Sequence, residues 1–154
     1  MTYIFNKMTQ EQAENIAFNW HYDGEYSFYN MEADKEDLDE FINPETRGNS
    51  MFAVTKNEEL IAFLGIEKAA NETCDIGLGM RPDLTGKGKG MGFLKAAIDF
   101  VIAEYKPKKI TLSVATFNQR AIKIYRRIGF KEIAFFDQET NGSTYEFLKM
   151  EYAC

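Results

Sequence analysis

The sequence is short of the side chains on which most metal and nucleophile sites depend. It has one histidine, His21, and two cysteines, Cys74 and Cys154, far apart in the chain. No cysteine–histidine cluster with zinc-ligand spacing exists, and a Cys–His or Ser–His nucleophile would have only His21 to draw on. Basic residues are in deficit: 18 Lys and Arg stand against 24 Asp and Glu, for a net charge of −6. That balance disfavours a general nucleic-acid or anionic-membrane partner. No apolar run reaches the roughly 18 residues of a membrane helix, and no basic leader runs into an apolar segment. Repeats, low-complexity tracts and linkers are missing too. The expectation is a reduced, cytoplasmic, metal-free protein with no membrane or nucleic-acid role.

What is present reads as one globular domain over residues 1–154, 45% hydrophobic and 27% charged. Tyr3 to Lys7 is a strand candidate. Thr9 with Gln12 makes a capping box for a helix carrying Ala13, Ile16, Ala17 and Trp20 on one face. The aromatic stretch "WHYDGEYSFYNMEAD" reads as irregular. Asp34 caps "KEDLDEFI", which presents Leu38, Phe41 and Ile42, and "NPETRGNS" has turn chemistry. The middle is rich in strands: "SMFAVTK", a turn at Asn57–Glu58–Glu59, "LIAFLGIEKAA" and "ETCDIGLGM". Met91, Leu94, Ala97, Ile98, Val101, Ile102 and Tyr105 then recur at helical spacing. "KKITLSVA" is a strand, and "NQRAIKIYRRI" a helix capped by Asn118 and closed by Gly129. "FKEIAFFDQ" and "STYEFLKMEYA", joined at Asn141–Gly142, form a terminal hairpin. The sum is an α+β domain of about seven strands and four helices.

Between the third strand region and the long helix lies "GLGMRPDLTGKGKGMGFL", with glycines at 77, 79, 86, 88, 90 and 92. Glycines after a strand and before a helix allow consecutive backbone N–H groups to converge on an anion, helped by the helix dipole. The spacing matches neither a Walker A loop nor the dinucleotide fingerprint. A mobile loop with close helix packing is the plainer alternative.

Together with "LSVATFNQRAIKIYRRIGF", this stretch resembles the GCN5-related N-acetyltransferase (GNAT) family. Thr85-Gly86-Lys87-Gly88-Lys89-Gly90 occupies the signature Gln/Arg-x-x-Gly-x-Gly/Ala, with Thr85 in the place of the usual long side chain. Asn118, Ala121, Tyr125, Gly129 and Phe130 match the later signature Asn-x-x-Ala-x-x-x-Tyr-x-x-x-Gly-Phe. The resemblance covers residues 51–154, and residues 1–50 form the part that usually shapes the acceptor site.

The resemblance implies an α/β/α sandwich around a mixed, mostly antiparallel sheet, and direct transfer of an acetyl group from acetyl-coenzyme A to a primary amine. It implies a pyrophosphate on the amides of Gly86 to Met91, with Thr85, Lys87 and Lys89 nearby, and a pantetheine arm against a splayed strand bearing Leu78, Met80 and Arg81. Gly77 and Gly79 suit such a close approach, and the Met80 N–H is a candidate oxyanion donor. Tyr125 is the candidate acid for the departing thiolate, and Asn118 a cofactor contact as well as a cap. The base stays open between Glu67, Asp75 and a water chain. His21 reads more simply as packing. Trp20, Tyr22, Tyr26, Phe28 and Tyr29, interspersed with Asp23 and Glu25, suit a cationic acceptor or, equally, a satellite core. A homodimer through the terminal hairpin and exposed aromatics is a further expectation. A non-catalytic module that binds coenzyme A or a nucleotide on the same scaffold is the competing function.

Overall fold

The computed structural model describes residues 2–86 and 88–154. The seven strands are β1 (Tyr3–Lys7), β2 (Met51–Lys56), β3 (Glu59–Ala69), β4 (Thr73–Met80), β5 (Lys109–Ala115), β6 (Lys131–Thr140) and β7 (Ser143–Ala153). They form one open sheet in the order β1-β2-β3-β4-β5-β7-β6. Three connections are tight turns: two residues at Asn57–Glu58 and at Asn141–Gly142, and three between β3 and β4, where Asn71–Glu72 follow Ala70. Asn57, Glu58, Asn71, Glu72, Asn141 and Gly142 all have positive φ, the twist that suits tight hairpins.

Only β4 and β5 pair in parallel, because the chain between them crosses over through a helix. Their pairing stops at Asp75 and Thr111, although β4 continues to Met80 and β5 to Ala115. The sheet therefore opens from Ile76 onward. β6 ends the sheet, with Ile133 and Phe135 largely exposed.

The helices are α1 (Gln10–Asn19), α2 (Lys35–Ile42), α3 (Pro44–Arg47), α4 (Gly90–Tyr105) and α5 (Gln119–Ile128). The one not expected is α3, a single turn within "NPETRGNS" that Asn43 caps with Pro44 at its first position. The aromatic stretch read as irregular forms two 3-10 turns, Gly24–Tyr29 and Met31–Ala33. Thr9 and Gln12 make the expected capping box on α1. Among the described residues no helix is long and apolar enough to cross a membrane.

Each face of the sheet has its own core. Leu64, Ile66, Ile76, Ile110, Leu112, Leu148 and Met150 pack on Phe93, Leu94, Ala97 and Val101 of α4 and Ile122 of α5. On the other face Ala53 meets Ala13, Ile16 and Ala17 of α1, Trp20 and Phe41 of α2. The strands supply both cores because successive side chains alternate between faces.

Candidate functional site

The splay between β4 and β5 opens into a cavity of about 1260 Å³ whose lining comes from both faces of the sheet. Hydrogen-bond alternation settles what the open strand presents. The Arg81 N–H donates to the Ile61 carbonyl at 2.8 Å, so Arg81–Ile61 is a bonded rung of the β3–β4 ladder. In an antiparallel ladder bonded and non-bonded rungs alternate. The register opposite β3 therefore turns the N–H and C=O of Leu78 and Met80 away from it, into the splay. The Met80 carbonyl there accepts a 2.7 Å hydrogen bond from the Tyr22 hydroxyl. Burial holds that phenol well above its ordinary range.

One rung of the floor has no side chains at all. Gly65 and Gly77 face each other across β3 and β4, and a Cβ on Gly77 would meet nothing within 4 Å. The next rung on the same face pairs two carboxylates, Glu67 with Asp75, and Thr111 on β5 donates to Asp75 at 2.7 Å. Gly79 is different: a Cβ there would lie 2.3 Å from the ring of Phe63, so it exists for packing. Gly92 likewise leaves room for the Tyr3 hydroxyl.

The loop beyond β4 has the character of an anion cradle. Gly86 and Gly88 have φ of +71° and +74°, which glycine adopts without strain. α4 starts at Gly90 with neither a side-chain cap nor an acid in its first turn, whereas α1, α2, α3 and α5 all have side-chain caps. Its first amides thus have no partner within the helix and form the positive end of its dipole. These donors fit a pyrophosphate. The Thr85 hydroxyl is spent on the Pro82 carbonyl at 2.8 Å. Lys89 is exposed at the start of α4, and neither its side chain nor that of Met91 lines the cavity. Lys87 lies outside the described residues.

Tyr125 lines the cavity from α5, and its ring meets Phe130 edge-on at 5.8 Å between centroids. Burial, and secondarily the neighbouring Tyr29, raise its phenol far above the ordinary value. The hydroxyl stays protonated at neutral pH, as an ordinary phenol does. Asn118 is doubly engaged: its Oδ1 accepts from the Ala121 N–H at 3.2 Å, and its Nδ2 donates to the Tyr29 hydroxyl at 3.2 Å.

The remaining sequence candidates divide. Tyr22, Tyr26 and Tyr29 line the cavity together with Phe28. Trp20 is buried in the α1 core and does not line it. Arg81 turns the other way: its guanidinium binds Asp83 at 2.6 Å and the Leu60 carbonyl at 3.2 Å. Arg81 and Trp20 border a smaller cavity with His21 instead. His21 pairs with Glu32 at 2.6 Å on the surface.

Several cavity residues escaped the sequence reading, among them Gly65, Asp37, Glu40 and Arg120. Gly65 sits unremarked in "FLGIE", and only its strand partner Gly77 reveals its part in the floor. Asp37 and Glu40 of α2 read as a solvated helix face, yet they line the cavity. Burial, reinforced by Asp34, Glu40 and Glu36, raises the Asp37 carboxyl.

The cavity is therefore polarised. Arg120, Lys123 and Arg127 of α5 line it from one face of the sheet, and Asp37 and Glu40 of α2 from the other, with Glu67 and Asp75 on the strands. Arg47 is the cation on the α2 side, and it is held by the Phe41 carbonyl and Gln10 at 2.8 and 2.9 Å.

No curated protein sequence matches the chain. Among solved structures, an acetyltransferase of the GNAT family from Bacillus anthracis is similar, with a TM-score of 0.76, 18% identity, and coverage of 98% of this chain and 94% of that one. A spermidine N-acetyltransferase from Vibrio cholerae, solved with CoA and spermine, superposes with a TM-score of 0.73 at 20% identity, covering 98% and 95%. Identities this low speak for the fold alone. Residues 3–131 match the family model described as an acetyltransferase (GNAT) domain. A match over most of the sequence, on a sheet splayed where that fold splays, means that the chain belongs to the GNAT family of acetyltransferases.

Proposed function

We propose that the protein transfers the acetyl group of acetyl-coenzyme A to a primary amine of a cationic acceptor. The observation that carries this reading is the polarised cavity, with basic side chains on the α5 side and carboxylates toward α2. Acetyl-coenzyme A supplies the acyl group as an activated thioester. The Gly86–Gly90 loop and the first amides of α4 hold its phosphates, and the open edge of β4 lines its arm through Leu78 and Met80. The Met80 N–H points into the splay and donates to the carbonyl oxygen as charge develops there.

The acceptor enters over Gly77, where the missing side chain leaves room, beside Gly65, whose place is filled by the Met51 side chain. Glu67 or Asp75, on the next rung of the same face, takes the proton that an alkyl ammonium of pKa about 10.4 must lose before attack. Thr111 fixes the orientation of Asp75, whereas Glu67 is exposed and can pass its proton to solvent. Tyr125 protonates the departing thiolate. Asp37 and Glu40, farther out, attract a second positive charge on the acceptor.

A thiol-release screen against diamines, polyamines, neutral monoamines and amino acids tests the reading. Release of coenzyme A with di- and polyamines ahead of the others is expected. Tight coenzyme A binding with no release for any amine would make the protein a binding module, and equal rates with neutral amines would remove the cationic preference.

A further inference from the structure

The loop signature departs from the family pattern at its first position, where Thr85 stands in place of a long donor. Its hydroxyl is already committed to Pro82, so the loop has no side-chain donor of its own at that point. A guanidinium from another element occupies the neighbourhood. Arg120 Nη1 lies 2.9 Å from where a Cβ on Gly86 would stand, directly against the cradle. The Arg120 guanidinium is also held from behind, its Cζ 4.4 Å from the centroid of the Tyr26 ring, a cation–π distance. Tyr26 is steadied in turn by Phe117 at 6.1 Å.

The pairing of charges along α5 supports a role for this cation. Arg126, on the outer side, is matched by Glu132 at 2.9 Å. Arg120, Lys123 and Arg127 all line the cavity, and among the described residues no carboxylate pairs with any of them. A cation in the first turn of a helix also opposes the dipole, so the arrangement at Arg120 is unfavourable until an anion arrives.

Resting on the acetyltransferase reading above, we infer that Arg120 is the pyrophosphate ligand that replaces the missing long side chain at position 85. It reaches the loop from α5, and Tyr26 positions it. Tyr26 thereby belongs to the cofactor's entrance rather than to the acceptor's pocket. The planar fork of arginine suits two phosphate oxygens at once, which a lysine cannot match.

Titration calorimetry with coenzyme A, dephospho-coenzyme A and pantetheine separates this role from others. Arg120→Ala should weaken both coenzyme A and dephospho-coenzyme A by the same factor, about 10- to 100-fold, and leave pantetheine unchanged. Arg120→Lys should recover only part of the loss, and Tyr26→Leu should reproduce a smaller share of it. Arg120→Gln, closer in shape, serves if the alanine variant unfolds. Unchanged affinity for coenzyme A overturns the assignment. So does a loss confined to coenzyme A, which would place Arg120 on the 3′-phosphate, or an equal loss for pantetheine, which would mark a structural role. If the wild-type protein takes up no coenzyme A, the acetyltransferase reading falls together with this one; a wild type that binds alongside an alanine variant that binds equally removes Arg120 alone.

Discussion

The two walls of the cavity are built from different materials. On the side of the glycine loop, Gly86, Gly88 and Gly90 line the cavity, and behind them lies an aliphatic core of Leu94, Ala97, Ile98, Val101, Leu64 and Leu112. On the acceptor side almost everything is side chain. Phe28 meets Tyr29, Tyr145 and Phe117 edge-on at centroid distances of 4.6–5.5 Å. Hydrogen bonds clasp the segment to distant parts of the chain. Asp34 accepts from the Asn141 N–H at 2.9 Å and the Thr140 hydroxyl at 3.2 Å, while Asn141 Nδ2 donates to the Phe28 carbonyl at 2.8 Å. Tyr22 ties the same segment to Met80. A wall made of backbone can hold one constant ligand whatever the surrounding sequence. A wall made of side chains can be rewritten for another acceptor without disturbing the first.

The comparison breaks most sharply at Tyr125, where the walls meet. Tyr125→Phe should lower kcat about 10²- to 10⁴-fold while coenzyme A affinity measured by calorimetry stays constant. A comparable loss of affinity would make Tyr125 part of the cofactor wall rather than a proton donor.

The carboxylate rung comes next. Whichever of Glu67→Gln and Asp75→Asn removes the base should cost about 10²-fold or more in kcat near neutral pH. Its rate should recover as the pH rises toward about 10.4, where the amine sheds its proton unaided. The other substitution should change mainly the KM for the amine. Flat pH profiles for both would leave the proton to a water chain.

Two glycines on the same strand should respond in opposite ways. Gly79→Ala drives a Cβ into the ring of Phe63 and should destabilise the fold by about 1–3 kcal/mol in urea titrations. Gly77→Leu projects into open space. It should leave the unfolding midpoint nearly constant while raising the KM for the amine and sparing the affinity for coenzyme A.

The smallest effect belongs to the clasp. Hydrogen bonds from the backbone N–H groups of Asn141 and Asp37 hold the Asp34 carboxyl below its ordinary range. Because the folded value is depressed, its stabilisation is present above the ordinary carboxylate pKa and fades as the pH falls through the lowered one. Asp34→Asn should therefore reduce the melting temperature slightly at pH 7, and the difference from wild type should vanish in acid. An unchanged difference at every pH would show that the geometry of the clasp matters and its charge does not.

The fold was largely legible because its signals are local. Capping at Thr9, Asp34 and Asn118, alternation along the strands and turn residues at Asn57 and Asn141 depend on neighbours within a few positions. α3 was missed because one turn of helix has too little periodicity to stand out from a capped loop. The glycine loop stood out for the same reason: Gly86, Gly88 and Gly90 alternate within five positions, just before α4.

The acceptor side was opaque, because side chains acquire their meaning from what they meet. Trp20 and Tyr22 are two positions apart in one aromatic stretch, yet one is buried under α1 and the other reaches Met80 across the splay. Arg81 follows Met80 directly and turns to the other cavity, because successive side chains along extended backbone alternate between faces. Sequence by itself determined the elements, their order and the glycine loop before α4, all set by local propensity and backbone freedom. Only the tertiary structure decided which charges face each other. Arg120 came to Gly86, and Asp37 and Glu40 to the far side of the glycine floor, through the packing of α5 and α2 on opposite faces of a sheet that opens between β4 and β5.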